Sequence, residues 1–299
     1  MSELQVVQHR PLQRLTTRQM HMAAIERVIA HMRRRSDAPL DLKEMANIAS
    51  VSRCHFDRVF HEIVGVTPRQ FQTALRLNAA ARLLLTTETK VTDICFDVGY
   101  ESLGSFISRF TRTFGIAPQK MRDLARHIDL PWGDRLTQTL DHIFPAQEPP
   151  FLDGVVRTER EIHGPIFIGL FDTPMPVNAP VACDVVHQAG SFRMGGVPDG
   201  DFYLLGVAVP WNERPLDFLL DESMLRGGLV DRPLHISGGV TSGHTSFTLR
   251  EARAIDPPIN LALPFLIVTR ALGLQPDDHA TPLSLHRPAA TPASRPARR

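Results

Sequence analysis

Two groups of short polar and cationic side chains recur about 50 residues apart, each just after a serine. Guanidinium, imidazole, hydroxyl and carboxylate groups of this kind hydrogen-bond base edges, and the cations among them also hold phosphates. The groups comprise Arg53, His55, Asp57, Arg58 and His61, and then Gly104, Ser105, Ser108, Arg109 and Arg112. The chemistry that this pattern favours is recognition of a nucleic acid, and its repetition in register makes an ordinary solvated helix surface the weaker explanation.

Each group lies on a predicted helix whose opposite face is apolar. The apolar positions are Phe56, Val59, Phe60 and Ile63 in the first helix, and Phe106, Phe110 and Phe114 in the second. Ser52 and Ser102 stand where an N-cap is expected. Gly65 and Gly115 follow the last apolar residue and suit a left-handed helix stop. Both ends of each helix are therefore marked in the sequence.

A shorter apolar-faced helix and a tight turn precede each of these helices, so a helix-turn-helix unit is predicted twice. The two turns fall at Ser50-Val51 and Gly99-Tyr100. A connecting helix is predicted to start at Pro68 and to continue to Leu85. A rigid connector of this kind holds two outer faces near one helical turn of DNA apart, ~34 Å.

The second copy resembles the signature of the AraC/XylS family of bacterial transcription regulators. The matching positions are Lys90, Ile94, Gly99, Tyr100, Ser102, Phe106, Phe110, Gly115 and Pro118. The resemblance covers about residues 18–127. It implies an all-α domain with two helix-turn-helix units that place recognition helices in successive major-groove segments of double-stranded DNA.

The resemblance also implies which residues read bases. They are Cys54, Asp57 and Arg58 in the first helix, and Leu103, Gly104, Ser105, Ile107 and Ser108 in the second. Gly104 and Ile107 cannot make bidentate base contacts, so the second helix is expected to read methyl groups and backbone shape. Further expected DNA contacts are Ser52, Arg53, His61, Lys90, Ser102, Arg109 and Arg112.

The charge of the chain divides between its two halves. Residues 1–127 hold 19 Lys and Arg against 12 Asp and Glu, a net +7, whereas residues 128–299 hold 14 against 20, a net −6. Four of the 24 prolines precede residue 128. This asymmetry indicates a basic nucleic-acid-binding half joined to a half of another class.

The localisation is predicted from cysteine use and from apolar runs. The sequence has three cysteines without a CxxC pair, and it shows no leader and no apolar run near ~20 residues. We therefore expect a cytoplasmic, nucleoid-associated protein that contacts no membrane.

Short β-branched and apolar runs closed by turn residues predict an all-β sandwich after the helical half. The runs are Leu152–Thr158, Pro165–Asp172, Val181–Gln188, Ser191–Gly195, Asp201–Val209, Leu229–Ile236 and Thr245–Arg253. The stretch over about residues 150–255 resembles transthyretin-like or carboxypeptidase-regulatory-like sandwich repeats. That resemblance implies a fold and little about a ligand.

Five regions are predicted in all. They are a flexible arm over 1–17, the double helix-turn-helix over 18–127, a short helix and Pro-rich linker over 128–150, the β domain for sensing or interaction over 151–274, and a disordered tail over 275–299. The linker region includes an amphipathic piece, Gly133–Phe144, and a packing helix is predicted over residues 259–272.

The sequence is compatible with two functional classes. The favoured one is a sequence-specific transcription regulator that is not an enzyme, with RNA polymerase and a small-molecule effector as open further partners. The alternative is a DNA-modifying enzyme that uses Cys54 or Cys183 as nucleophile. No cofactor is expected, and no metal site is predicted, since Asp184 and His187 fall on opposite faces of a predicted strand.

Overall fold

The computed structural model describes residues 4–35, 39–127, 148–175, 180–210, 224–238, 240–241 and 243–260. Seven helices come first in this part of the chain. They are α1 (Leu4–Arg34), α2 (Leu42–Ala49), α3 (Arg53–Val64), α4 (Pro68–Thr86), α5 (Val91–Asp97), α6 (Leu103–Phe114) and α7 (Pro118–His127). Among the described residues no helix is both long and apolar enough to cross a bilayer.

The helix boundaries follow from side chains beside them. Ser52 accepts a hydrogen bond from the amide of His55, and Ser102 accepts one from the amide of Ser105, each at 3.4 Å. Both serines are therefore N-caps, as the sequence predicts. Gly65 and Gly115 close α3 and α6 with φ of 83° and 73°, a conformation that other residues adopt at a cost.

The N-terminal helix is longer than its apolar pattern indicates. An arm is predicted over residues 1–17, but α1 already begins at Leu4. Among the α1 side chains that the structure describes, from Thr16 onward, the buried ones start at Ala24 and include Ile25, Val28 and Ile29. Apolar periodicity indicates the part of a helix that has an apolar stripe, and it gives no signal over a stretch of sequence without one. Leucine, glutamine and arginine, which occur in the first part of α1, have high intrinsic helix propensity, so a helix is favoured there without an apolar stripe.

The connecting helix α4 belongs to two hydrophobic cores. Phe71 and Ala74, near its start, pack in a cluster with residues of α1, α2 and α3. Leu77 and Leu84, further along, pack in a second cluster with residues of α5, α6 and α7. One continuous helix therefore holds both helix-turn-helix units, which confirms the predicted connector.

Two sheets form the second half. The strands are β1 (Leu152–Thr158), β2 (Ile166–Phe171), β3 (Ala182–Val186), β4 (Gly190–Met194), β5 (Gly200–Ala208), β6 (Leu225–Ser237), β7 (Val240–Thr241) and β8 (Ser246–Leu249). One sheet has the order β4-β1-β8, with β1 antiparallel to β4 and parallel to β8. The other has the order β3-β2-β5-β6-β7 and is antiparallel throughout.

All seven predicted strands are present, and the short β7 is an addition to them. Their inner faces contribute to one buried cluster, with Val156 and Leu249 from the smaller sheet and Ile168, Leu204 and Leu225 from the larger. The predicted piece at Gly133–Phe144, the tail over 275–299 and most of the predicted helix over 259–272 lie outside the described residues.

The outer face of the larger sheet packs on the helical half. Phe167 of β2, Cys183 of β3 and Val207 of β5 share the hydrophobic cluster that contains α4, α6 and α7. The buried Asn260 side chain donates from Nδ2 to the carbonyl of Ala74 in α4 at 2.8 Å, and its Oδ1 accepts from Asn78 at 3.2 Å. The two halves thus share a core, which a division into separate domains does not anticipate.

Candidate nucleic-acid interface

The candidate DNA-contacting residues occupy three places in the fold. Six of them are the N-cap of α3 or lie along that helix, seven are the N-cap of α6 or lie along that helix, and Lys90 is the residue before α5. The exposed members are Ser52, Arg53, Cys54, Asp57, Arg58, His61, Lys90, Ser102, Gly104, Ser105, Ser108, Arg109 and Arg112. Leu103 is half-buried. The buried faces of the same two helices hold the phenylalanines, so the polar residues are left facing outward.

On the first helix, Arg58 is held by neighbours on its own helix. Its Nη2 donates to Nδ1 of His55 at 3.1 Å, and its Nε lies 3.8 Å from a carboxylate oxygen of Glu62. The ring of His55 contacts His21 of α1, with Nε2 atoms 3.4 Å apart. The side chain of Arg58 is nevertheless 68% exposed, so its guanidinium remains accessible to a base edge.

The second helix presents smaller groups. Ser105 lies beside the cap, where its hydroxyl donates to the carbonyl of Ser102 at 3.0 Å. Leu103 packs partly against the second core, while Ile107 is 37% exposed. A Cβ at Gly104 would meet nothing within 4 Å, so the backbone there is open on its outer side. Such a surface can approach a groove closely and contact thymine methyl groups.

Cations border the second helix. Arg109 and Arg112 are exposed on α6, and Lys90 precedes α5, whose N-terminus has no side-chain cap hydrogen bond. The positive end of a helix dipole favours a phosphate at that place. A lysine beside the start of α5 is therefore suited to a sequence-independent backbone contact.

Arg76 is a positioning residue that the sequence pattern does not reveal. From α4 its Nε donates to the carbonyl of Val98 at 2.5 Å, and its guanidinium lies 4.2 Å from the centre of the Tyr100 ring. Burial lowers the pKa of Arg76, and the nearby Arg109 lowers it further. Arg76 thus ties the connector to the turn before α6. Tyr100 is a signature position and was the one available hint of this contact.

The cysteines bear on the enzyme alternative. Cys54 is exposed on α3, whereas Cys183 is buried in the core between the halves. Burial, with the neighbouring carboxylate of Asp184, raises the pKa of Cys183 to about 12. Since the thiolate is the nucleophile, Cys183 is unsuited to catalysis at neutral pH. Within the described ranges no group of three or more His, Cys, Asp or Glu residues could hold a metal ion.

Comparison with known proteins matches the helical half. A helix-turn-helix domain family matches residues 45–123. The RCS-specific HTH-type transcriptional activator RclR of Escherichia coli K12 is 36% identical over 87 residues, which cover 29% of this chain and 31% of that protein. The transposon Tn10 TetD protein of Escherichia coli is 31% identical over 105 residues, covering 35% of this chain and 76% of that protein.

A solved transcriptional regulator from Chromobacterium violaceum, described as having an AraC-type DNA-binding domain, is 27% identical. It covers 35% of this chain and 93% of that chain, with a TM-score of 0.34. For three of the curated relatives the match spans between 27% and 31% of their own length. The residues matched by the family model run from α2 into α7. The chain belongs to the AraC family of helix-turn-helix proteins.

Proposed function

We propose that this protein is a sequence-specific DNA-binding transcription regulator whose helices α3 and α6 enter successive major-groove segments. The observation that carries the proposal is the pair of capped helices, each with an apolar inner face and an exposed polar outer face. The net charge of +7 over residues 1–127 supplies the attraction to phosphate. Relatives that are named as transcriptional regulators, such as the activator RclR, support the same role.

The length of α4 fits this use. Nineteen residues at a rise of 1.5 Å each give a connector of roughly 28 Å. Because α4 is packed at one end in the first core and at the other end in the second, it resists bending between the units. One chain then offers two recognition helices at a separation comparable to one turn of DNA, ~34 Å.

The base contacts divide between the helices. Arg58, with its planar guanidinium, is assigned the strongest base contact, and Asp57 and Cys54 lie on the same exposed surface. On α6, Gly104, Ser105 and Ser108 are assigned close approach and shape reading. Lys90, Arg109 and Arg112 are assigned to phosphates, which fix the register without specifying sequence.

For the strand-rich half we propose sensing or interaction, with its two sheets stacked as a transthyretin-like sandwich. The single buried cluster fed by both sheets supports the stacking. Its packing against α4 supports a role in controlling the helical half, because a bound effector or RNA polymerase would act on a shared core.

Selection of bound duplexes from a randomised pool, followed by footprinting of the full-length protein, tests the proposed function. We expect an enriched site with two protected major-groove segments centred about 10 base pairs apart on one face of the duplex. The variant Arg157→Met is the control and should give the same protected segments, since Arg157 lies exposed on β1 of the smaller sheet, outside the proposed DNA-contacting surface. Recovery of no enriched sequence, or of protection limited to one segment, would contradict the proposal.

A further inference from the structure

A cavity of about 230 Å³ lies between the end of α3 and the outer face of the larger sheet. Val64 and Gly65 of the helical half line one side, and residues of β2, β5 and β6 line the other. Its volume corresponds to roughly eight water molecules at liquid density. The space suits a small organic molecule and is below the size of a typical drug pocket, about 300 Å³ or more.

The sheet beside the cavity contains two glycines that neighbouring side chains cover, since a Cβ at Gly169 would lie 2.9 Å from the Phe171 ring and one at Gly228 would lie 2.9 Å from the Leu205 side chain. Gly169 of β2 pairs with Leu205 of β5, and Leu205 pairs with Gly228 of β6, so the three residues form one cross-strand row. Residues directly opposite one another share a face, which means that two of the three positions carry no side chain. The row is flanked on the same face by Phe167 and Val207, which pack against the helices. The floor and walls of the cavity are therefore apolar.

One end of the cavity is cationic. Arg226 donates from Nη1 to the carbonyl of Pro257 at 2.7 Å, while its Nε is buried without a hydrogen-bond partner. Arg250 is bound by both oxygens of Asp256, at 2.7 and 3.0 Å. The lining thus contains two guanidinium groups and one carboxylate, and that carboxylate is already engaged.

The charged groups around this end of the cavity leave it with a net positive charge. Arg33 of α1 is close enough to repel Arg226, and it donates to the carbonyls of Ala254 and Asp256 at 3.3 Å. The exposed Glu159 acts on Arg250. Burial lowers the pKa of Arg226 to about 10, with Asp256 opposing this change. Arg226 as a whole is half-buried, and a cation with a buried N–H that lacks a hydrogen-bond partner gains from an anionic one.

We propose that this cavity binds a small organic carboxylate with a compact apolar body, its carboxylate facing Arg226 and its body lying against the apolar lining of Phe167, Leu205 and Val207. Thr248 also lines the cavity. The opposite wall is Gly65, the left-handed C-cap of the first recognition helix. An occupant therefore touches the end of α3, and on the proposed function it regulates DNA affinity.

Isothermal titration of the full-length protein with benzoate tests the site without any DNA. Benzamide is the neutral probe of the same shape. We expect benzoate to bind and benzamide to bind at least roughly tenfold more weakly. Arg226→Met should lower benzoate affinity by a similar factor, whereas Arg226→Lys, which keeps the charge, should retain part of it. Leu205→Phe should block binding because a larger side chain at this lining position takes up space in the cavity, and Arg157→Met should leave binding unchanged.

Thermal unfolding of each variant without ligand comes first, because Arg226 also holds the Pro257 segment. If Arg226→Met unfolds, Leu205→Phe and the benzoate-to-benzamide ratio still decide the question. Equal binding of both probes, or benzoate binding that survives both Arg226→Met and Leu205→Phe, would overturn the site. Benzoate binding with no shift in affinity for the selected duplex would overturn the regulatory role alone. A protein that binds benzoate and selects no duplex would instead contradict the proposed function.

Discussion

The guanidinium of Arg58 donates to Nδ1 of His55, one helical turn earlier on α3. Because a guanidinium cannot accept, His55 must accept at Nδ1 and therefore carries its proton on Nε2. That Nε2 faces Nε2 of His21 on α1 at 3.4 Å. Through His55, helix α1 thereby orients Arg58, which is assigned to base reading. On the proposed function, Arg58 would exchange the His55 ring for a base edge as its hydrogen-bond partner.

Arg58→Ala should weaken binding to the selected duplex by about 1–3 kcal/mol, as the loss of a bidentate base contact does. Binding to unrelated duplexes should change much less. Fluorescence anisotropy with the selected site and with a scrambled site measures both affinities. Arg69→Ala is the control, because Arg69 is an exposed arginine on α4 outside the assigned surface. A loss of equal size on both duplexes would show that Arg58 does not read a base.

Lys90→Ala should lower affinity for all duplexes alike. The reason is that a phosphate contact carries no sequence information, and its loss removes about one released counterion. The slope of log affinity against log salt should therefore become shallower by about 0.9. Titrations at several salt concentrations give this slope. An unchanged slope would place Lys90 away from the DNA backbone.

Ser102→Ala should destabilise the protein by about 1 kcal/mol, since the hydroxyl caps the amide of Ser105. Ser108→Ala, in the exposed middle of α6, should change stability by no more than about 0.5 kcal/mol. Urea unfolding of the two variants and of the parent protein compares them directly. Equal stability of the two variants would mean that the Ser102 cap does not support α6.

The cysteines should label at very different rates. Cys54 is exposed and should react with iodoacetamide like an ordinary thiol at neutral pH, whereas buried Cys183, with its pKa raised to about 12, should react only after unfolding. Mass spectrometry of protein labelled with and without urea separates the sites. Labelling of folded protein at either position faster than free cysteine would revive the nucleophile hypothesis.

Acid should loosen the junction between the halves through Asp256. Burial raises its pKa, but the hydrogen bonds from Arg250 and from the amide of Arg253 outweigh burial and lower it. A carboxyl with a lowered folded pKa contributes stability above its unfolded pKa, about 3.9, and loses that contribution as pH falls through the folded value.

Asp256→Asn should therefore be less stable near neutral pH and should lose less stability on acidification than the parent protein. Urea midpoints measured from about pH 7 to about pH 3 follow the difference. Asp172→Asn, at an exposed carboxylate, is the comparison. Parallel pH profiles for the parent and Asp256→Asn would rule out this linkage.

The sequence by itself determined the local structure, because local signals are written in neighbouring residues. A serine before an apolar stripe and a glycine after it place both ends of α3 and α6, and short apolar and β-branched runs between turn residues place seven strands. The outward placement of Arg58 and Arg109 follows from the same spacing, since the helix face opposite the buried phenylalanines is exposed to solvent.

Only the tertiary structure decided what the strand-rich half packs against. One signal was present: Ile166–Phe171 is apolar at every position, which is typical of a strand covered on both faces. Phe167 of this strand shares a hydrophobic cluster with residues of α4 and α6, which lie more than 50 residues earlier in the sequence. No local sequence pattern predicts that contact. The cavity beneath Gly65 and the contact of Arg226 with Pro257 arise from that docking, because they exist only where distant segments meet.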